Sequence, residues 1–387
     1  MDLAGTPAIP GQSPSPARTR GDVDGARLLT IAEAAEPAFV AAWEALAQRA
    51  AEPNPFFEPW FLLPSLAQLA GDEKLSIFAL YDGPRLTGLL PLVSDRRYYG
   101  YPLPHVGAWL HDNAFCGAPL VARGSERAFW QALLAQLDNR PGNALLLHLP
   151  QMPGDGPLTA ALDAVLAGEA RPAYTALEGE RAMLSSSLGP ETYFEQAMSA
   201  KKRKELRRQH KRLAEEGTLV FERTQDSAGI DAWVADFLAL EAAGWKGEAG
   251  SALASAEATR AFFTATLTGA ATAGRLERLA LRLDGTPIAM LANFLCPPGA
   301  FSFKTAFDER FARFSPGLLL QIENLQLLDR EDIAWADSCA VQGHSMIERI
   351  WREKRSITSR NIAIGGPVRR FAFRQLKAYE TRKRSAS

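Results

Sequence analysis

The sequence predicts a mixed α/β protein built from two similar halves around a mixed sheet, and three observations carry that expectation. Each half holds an apolar strand, an Asp-Gly turn and a second apolar strand: LSIFALY, Asp82-Gly83-Pro84 and RLTGLLPLV in the first, ERLALRL, Asp284-Gly285 and TPIAMLANFL in the second. Helical patterns stand before and after each hairpin. At 387 residues the chain is long for one core, which favours two packed units.

In the first half, Pro37 to Ala51 and Glu58 to Ala70 read as helices around the Pro-interrupted EPNPFFEP. Beyond the hairpin come a short strand at Pro119 to Val121, a helix near Glu126 to Leu137 and the apolar run ALLLHL. The second half opens at Gly189-Pro190 on a long helical pattern closed by Gly217, because Pro suits the first helical turn and Gly the C-terminal cap. TLVFER reads as a strand, and helices near Ala232 to Ala243 and Glu257 to Thr268 lead to the second hairpin. The strand AFSFKTAF then passes through DERFARFSPG into the helical run LLLQIENLQLL, with Ser315 as the expected N-cap. A strand IAWAD, a helix holding Trp351, a basic segment and a C-terminal helix finish the chain. The expected organisation is a disordered tail over 1–26, domains over 27–187 and 188–380, and a flexible tail over 381–387.

Hydrophobic residues make up 47% and charged residues 22%, an ordinary globular balance that excludes collagen-like and disordered classes. The Pro, Gly and Ser-rich N-terminus lacks the apolar core of a signal peptide, and no run approaches the roughly 20 apolar residues needed to span a bilayer. Cys116, Cys296 and Cys339 are far apart and sit in apolar surroundings, as buried thiols of a reducing compartment do. These features point to a cytoplasmic protein without disulfides or a metal site. There is no GxSxG elbow, GxxxxGK[ST] loop, GxGxxG after a strand, HExxH or CxxC, so what remains must work by positioning. Net charge is −1, yet residues 201–212, KKRKELRRQHKR, hold eight Lys or Arg against the single acid Glu205.

AMSAKKRKELRRQHKRLAEEG, EAAGWKGEAGSAL, PIAMLANF, FSFKTAFDERFARFSPGLLL and the stretch Trp335 to Trp351 together resemble the GNAT domain of the CelD/BcsL group. That group comprises acetyltransferase-like proteins of cellulose and exopolysaccharide biosynthesis, with the Fem-type aminoacyltransferases as relatives. NPFFEPWF, RLTGLLPLV and WLHDNAFCGAPLV resemble its N-terminal part, so the likeness covers roughly residues 30 to 365. It implies tandem GNAT-like domains, with acetyl-CoA or a longer acyl-CoA as donor and no metal. In such a fold two parallel strands splay apart to receive the donor's amide arm, and a helix N-terminus just beyond takes the pyrophosphate. RFSPGLLL supplies that helix start, which makes Arg310, Arg313, Ser315, Gly317 and Leu318 the candidate donor contacts; Pro316 there removes one N–H donor.

Lys304, in the strand with Phe301, Phe303 and Phe307, is the candidate oxyanion stabiliser or acceptor-phosphate contact, and Asp308 could orient it, act as base or form a turn. Glu241 beside Trp245 and Lys246 is a candidate base, as are His344 and Asp337. The basic helix admits three readings: a solvated face, a nucleic-acid or membrane contact, and a site for a nucleotide-sugar or lipid-linked phosphate. Arg203 and Arg207 share one of its faces at i, i+4. Trp60, Trp109, His111 and Asp112 could line an acceptor cleft between the halves or belong to the core. The leading expectation is direct acyl transfer from acyl-CoA to an amine or hydroxyl of a sugar or sugar-linked precursor, beside polysaccharide-synthesis machinery. The alternatives are an aminoacyltransferase using charged tRNA and a non-catalytic double-GNAT scaffold.

Overall fold

A computed structural model describes residues 23–385. Residues 1–22 and 386–387, most of the expected N-terminal tail and the end of the C-terminal one, lie outside the described residues. The first half runs β1 (Ala26–Leu29), α1 (Ile31–Ala34), α2 (Pro37–Ala47), α3 (Pro59–Leu69), β2 (Lys74–Asp82), β3 (Arg85–Asp95), β4 (His105–Ala108), β5 (Leu120–Val121), α4 (Glu126–Asn139), β6 (Leu146–Pro153), α5 (Pro157–Gly168) and β7 (Ala173–Leu184). The second runs α6 (Pro190–Ala197), α7 (Ala200–Glu215), β8 (Leu219–Thr224), α8 (Ile230–Ala242), α9 (Trp245–Glu248), α10 (Glu257–Thr272), β9 (Leu276–Leu283), β10 (Thr286–Cys296), β11 (Gly299–Phe307), α11 (Pro316–Glu323), β12 (Trp335–Asp337), β13 (Glu353–Ala363) and α12 (Pro367–Ser385).

Both Asp-Gly turns close antiparallel hairpins, β2 with β3 and β9 with β10. At each turn the glycine takes a positive φ, which the absent Cβ permits without strain. The strands form one mixed sheet in the order β1-β2-β3-β4-β6-β13-β7-β12-β11-β10-β9-β8, with β5 beside β3. Each half contains a parallel pair, β4 with β6 and β11 with β12. The halves also exchange a strand. β7, from the first half, pairs with β12, while β13, from the second, pairs with β6, and the two exchanged strands pair with each other in the middle.

Several elements differ from the sequence expectation. The helical pattern from Pro190 to Gly217 breaks where Met198 adopts an extended conformation, giving α6 and α7. The run after Gly317 is α-helical only to Glu323 and continues as a 3₁₀ turn over Asn324–Asp329. Trp351 follows a 3₁₀ turn at Ile347–Arg349 rather than sitting in an α-helix, and it is fully buried. The basic segment beyond it is strand β13, and α12 runs on to Ser385 across the expected C-terminal tail.

An aromatic core ties the halves together. Phe56 meets Phe301 edge-on at 5.6 Å, Phe61 meets Phe303 at 5.8 Å, and Phe303 stacks on Phe294 at 4.5 Å. Burying rings of this size stabilises by roughly 1.5–3 kcal/mol each, so the interface between the halves is continuous core. Trp60 belongs to this layer, 4.8 Å from Phe294 and packed against Gly269 of α10, where a Cβ would come within 3.1 Å of it.

Candidate active site

The site begins with a break in strand register. β10 and β11 pair Ala292 with Lys304 but Asn293 with Ser302, so Phe303 is an extra residue on β11. Such a bulge bends the strand and re-aims the next side chain. It carries Lys304 onto the aromatic layer, with its ammonium 5.3 Å from the centre of the Phe115 ring and 5.5 Å from that of Phe303. β11 and β12 stay parallel only from Gly299–Trp335 to Phe301–Asp337; β12 then ends while β11 continues to Phe307. Lys304 therefore stands where the two strands have parted.

Its surroundings come from both halves. The last turn of α8 holds Glu241, a buried carboxylate that accepts from Lys246 Nζ at 2.6 Å and from the Leu253 N–H at 2.8 Å. Burial, then repulsion from Lys246, pulls the Lys304 ammonium down to about 8, against the opposing pull of Glu241, Cys339 and Asp112. Among the described residues no carboxylate lies within ion-pair distance of Lys304. From the first half, burial and then the Lys304 charge push His111 down to about 4. Its Nδ1 accepts from the Asn113 N–H at 3.3 Å, which assigns the proton to Nε2, donating to Ser65 Oγ at 3.0 Å. Both ring nitrogens are thereby engaged, and the imidazole is neutral.

The structure thus brings Lys304, Glu241, Lys246 and His111 together. Trp109 adjoins this group, its ring 5.4 Å from that of His111, and the remaining candidates have other roles. Trp109 is buried, its indole N–H donating to the Glu73 carboxylate, and Trp245 is 58% exposed. Asp308 caps the 3₁₀ turn at Glu309–Phe314 through the Arg310 N–H and pairs with the Arg310 guanidinium at 2.6 Å, which holds its carboxyl below the usual range. It is committed there and does not orient Lys304. His344 lies in the loop after β12, beside Glu348, and its Nδ1 has no partner. Arg203 binds the Glu195 and Met198 carbonyls and so ties α6 to α7, whereas Arg207 is exposed.

At the start of α11, where the candidate donor contacts lie, Ser315 occupies the N-cap position in a left-handed conformation, but its side chain makes no capping bond. Its carbonyl accepts from the Leu318 and Leu319 N–H groups, and Pro316 has none; among the described residues the Gly317 N–H has no backbone partner there. A Cβ on Gly317 would come within 3.2 Å of both Met346 Sδ and the Phe307 ring, so its tightness is set by protein side chains. Arg310 and Arg313 flank this turn on the surface, paired with Asp308 and Glu216. A groove of about 490 Å³ between this turn and α7 carries Arg208, Arg212 and Arg313 on its walls.

Residues the sequence did not single out are Phe115, Arg181 and Arg355. Arg181 and Arg355 sit on the exchanged strands β7 and β13, whose charged sequences carry no strand pattern that would have singled them out.

Residues 200–344 match the family model of the acetyltransferase (GNAT) domain. No curated protein matches the chain by sequence. Among solved structures, FemX is similar with a TM-score of 0.54 and 10% identity, covering 89% of this chain and 98% of its own. The C-terminal domain of a putative lysylphosphatidylglycerol synthetase from Agrobacterium fabrum is similar with a TM-score of 0.53 and 13% identity, covering 90% and 96%. These likenesses concern the fold. Among the described residues no helix is long and apolar enough to cross a membrane.

Proposed function

We propose that the protein transfers an acyl group directly from acyl-CoA to an amine or hydroxyl of a sugar or sugar-linked acceptor, where the two halves meet beside Lys304. The observation that carries this is the bulge-presented, unpaired lysine at the mouth of the parted strands β11 and β12. The acceptor nucleophile attacks the thioester carbonyl and gives up its proton, a tetrahedral oxyanion forms, and the thiolate leaves and takes up a proton as the carbonyl is restored. An ammonium fixed beside that oxygen stabilises the charge only as it develops, which lowers the barrier rather than merely binding substrate. The donor's phosphates are assigned to the start of α11, where the Gly317 N–H and the flanking arginines favour an anion.

The basic face of α7 favours a second reading, in which the acyl donor is a charged tRNA, the backbone phosphates lying along Lys201, Lys204 and Arg207. Thermal-shift titration of the full chain with acetyl-CoA, longer acyl-CoA and aminoacyl-tRNA separates the two. Stabilisation by acyl-CoA is expected, about 2.7 kcal/mol at a hundred times Kd. No shift at millimolar acyl-CoA together with a shift by tRNA would replace the first reading by the second.

A further inference from the structure

The exchanged strands place two like charges face to face. Arg181 of β7 is the direct cross-strand partner of Arg355 of β13, and both side chains are about nine-tenths buried. Opposed like charges destabilise a sheet unless something bridges them. The bridge here is a single buried carboxylate, Asp337, held at 3.3 and 3.4 Å by Arg181 Nη1 and at 3.4 Å by Arg355 Nη1. These are long for charge-assisted bonds, which run to about 2.7–2.9 Å. Asp337 also accepts from the Cys339 N–H at 2.8 Å, so its oxygens are shared three ways.

Arg181 has further partners, the Phe115 carbonyl at 2.7 Å and Gln151 Oε1 at 3.1 Å. Arg355 does not: among the described residues its side chain's only hydrogen bond is the one to Asp337, and its guanidinium lies 4.5 Å over the Trp335 ring. Lys304 reaches towards the same ground, since its ammonium lies 5.3 Å from the centre of the Phe115 ring and the Phe115 backbone carbonyl accepts from Arg181. Arg181 and Arg355 thus share one carboxylate, and Lys304, linked to Arg181 through Phe115, is in contact with none among the described residues. Glu241 is already held by Lys246, and Glu52, which feels the Arg355 charge, spends an oxygen on the Leu158 N–H. Buried cations in such excess are costly without an anion to complete them.

We propose that Arg355 and Arg181, together with Lys304, form an oxyanion-binding subsite that holds a carboxylate or phosphate group of the acyl acceptor. The inference rests on the acyltransferase reading for the word acceptor. It places the anion on the β13 side of Lys304, away from the α11 turn assigned to the donor. A planar guanidinium over an indole presents two parallel N–H groups, the geometry that recognises carboxylate and phosphate oxygens in pairs. The acceptor is accordingly an acidic sugar or a sugar phosphate.

The test titrates the full chain with glucuronate, glucose 1-phosphate and neutral glucose, reading the thermal shift, with acetyl-CoA in parallel. At least one charged sugar is expected to raise the melting temperature while glucose does not. Glucuronate alone assigns a carboxylate, and glucose 1-phosphate alone a phosphate. Arg355→Gln is expected to weaken that binding at least tenfold, and Arg355→Lys, which keeps the charge without the fork, about threefold. The proposal is overturned if neither anion stabilises the protein, if glucose does so equally, or if Arg355→Gln binds as the parent does. Should Arg355→Gln not fold, unchanged affinity in Arg355→Lys overturns it instead. Acetyl-CoA binding without anion binding removes the subsite and leaves the transferase reading; the converse removes the donor.

Discussion

The two parallel strand pairs start alike and end differently. In the first half β4 and β6 are aligned from His105–Leu146 to Gly107–His148, and the chain leaving β4 then folds back onto the end of β6. Gly117 donates to the Gln151 carbonyl at 3.0 Å and lies so close that a Cβ would stand 1.9 Å from the Pro150 oxygen. In the second half nothing comparable follows Phe301–Asp337, and the gap opens beside Lys304. One half has filled its own gap with residues 109–119, and that filling reaches the other half's site through His111 and Phe115. A repeated architecture thus divides labour: one copy keeps the opening, and the other supplies its wall.

If that division is right, the largest effect belongs to Lys304. Lys304→Met keeps the stem and removes the charge. It should lower turnover by about ten- to a thousand-fold, the scale of losing one electrostatic stabiliser, while stability holds or rises. Steady-state kinetics with a genuine acceptor, beside thermal melts, checks both halves of that statement; unchanged turnover would take Lys304 out of the site.

Next comes the wall. Gly117→Ala drives a Cβ into backbone, which cannot yield as a flexible side chain does, so we expect a loss on the order of 2–4 kcal/mol in denaturant unfolding. Turnover should fall with it as Phe115 leaves the Lys304 ammonium. A variant with full stability and full turnover would show that the loop is not what closes the first gap.

The pH dependence sharpens the comparison further. Lys304 binds its proton less readily in the folded state than in the unfolded one, so between about 8 and the ordinary lysine value the unfolded chain holds more protons and stability rises with pH. The ceiling on that gain is about 3 kcal/mol. The contribution of His111 has the same sign at lower pH: stability falls as pH drops from the ordinary histidine range towards about 4. Melts from pH 4 to 10 should show both limbs, with the alkaline one absent in Lys304→Met. Turnover, which needs the charged ammonium, should decline above about pH 8.

The smallest effect is expected at the donor turn. In Gly317→Ala the added methyl meets Met346 and Phe307 at the limit of contact, and both side chains can shift. Stability should change by under about 1 kcal/mol, and acyl-CoA affinity by less than tenfold as titration measures it. A far larger loss of affinity with stability intact would mean that the ligand itself packs against that Cα.

The sequence determined most of the elements that depend on local pattern. Both hairpins, the strand FSFKTAF, the break at SPG and the basic face of α7 follow from alternation, turn residues and helical period, and Lys304 was visible as a cation in an apolar strand. The resemblance then placed it beside a donor. What tertiary structure alone decided is how the halves complete each other. YTALEGERAML and EKRSITSRNIA carry too many charges to read as central strands; only the fold brings Asp337 and the Phe115 carbonyl against their arginines. Asp308 and Arg203 look functional in a linear string, yet their partners, Arg310 in one case and the end of α6 in the other, hold them in structural roles. A side chain's charge is written in the sequence; whether that charge is already paired is settled by which distant strand lies next to it.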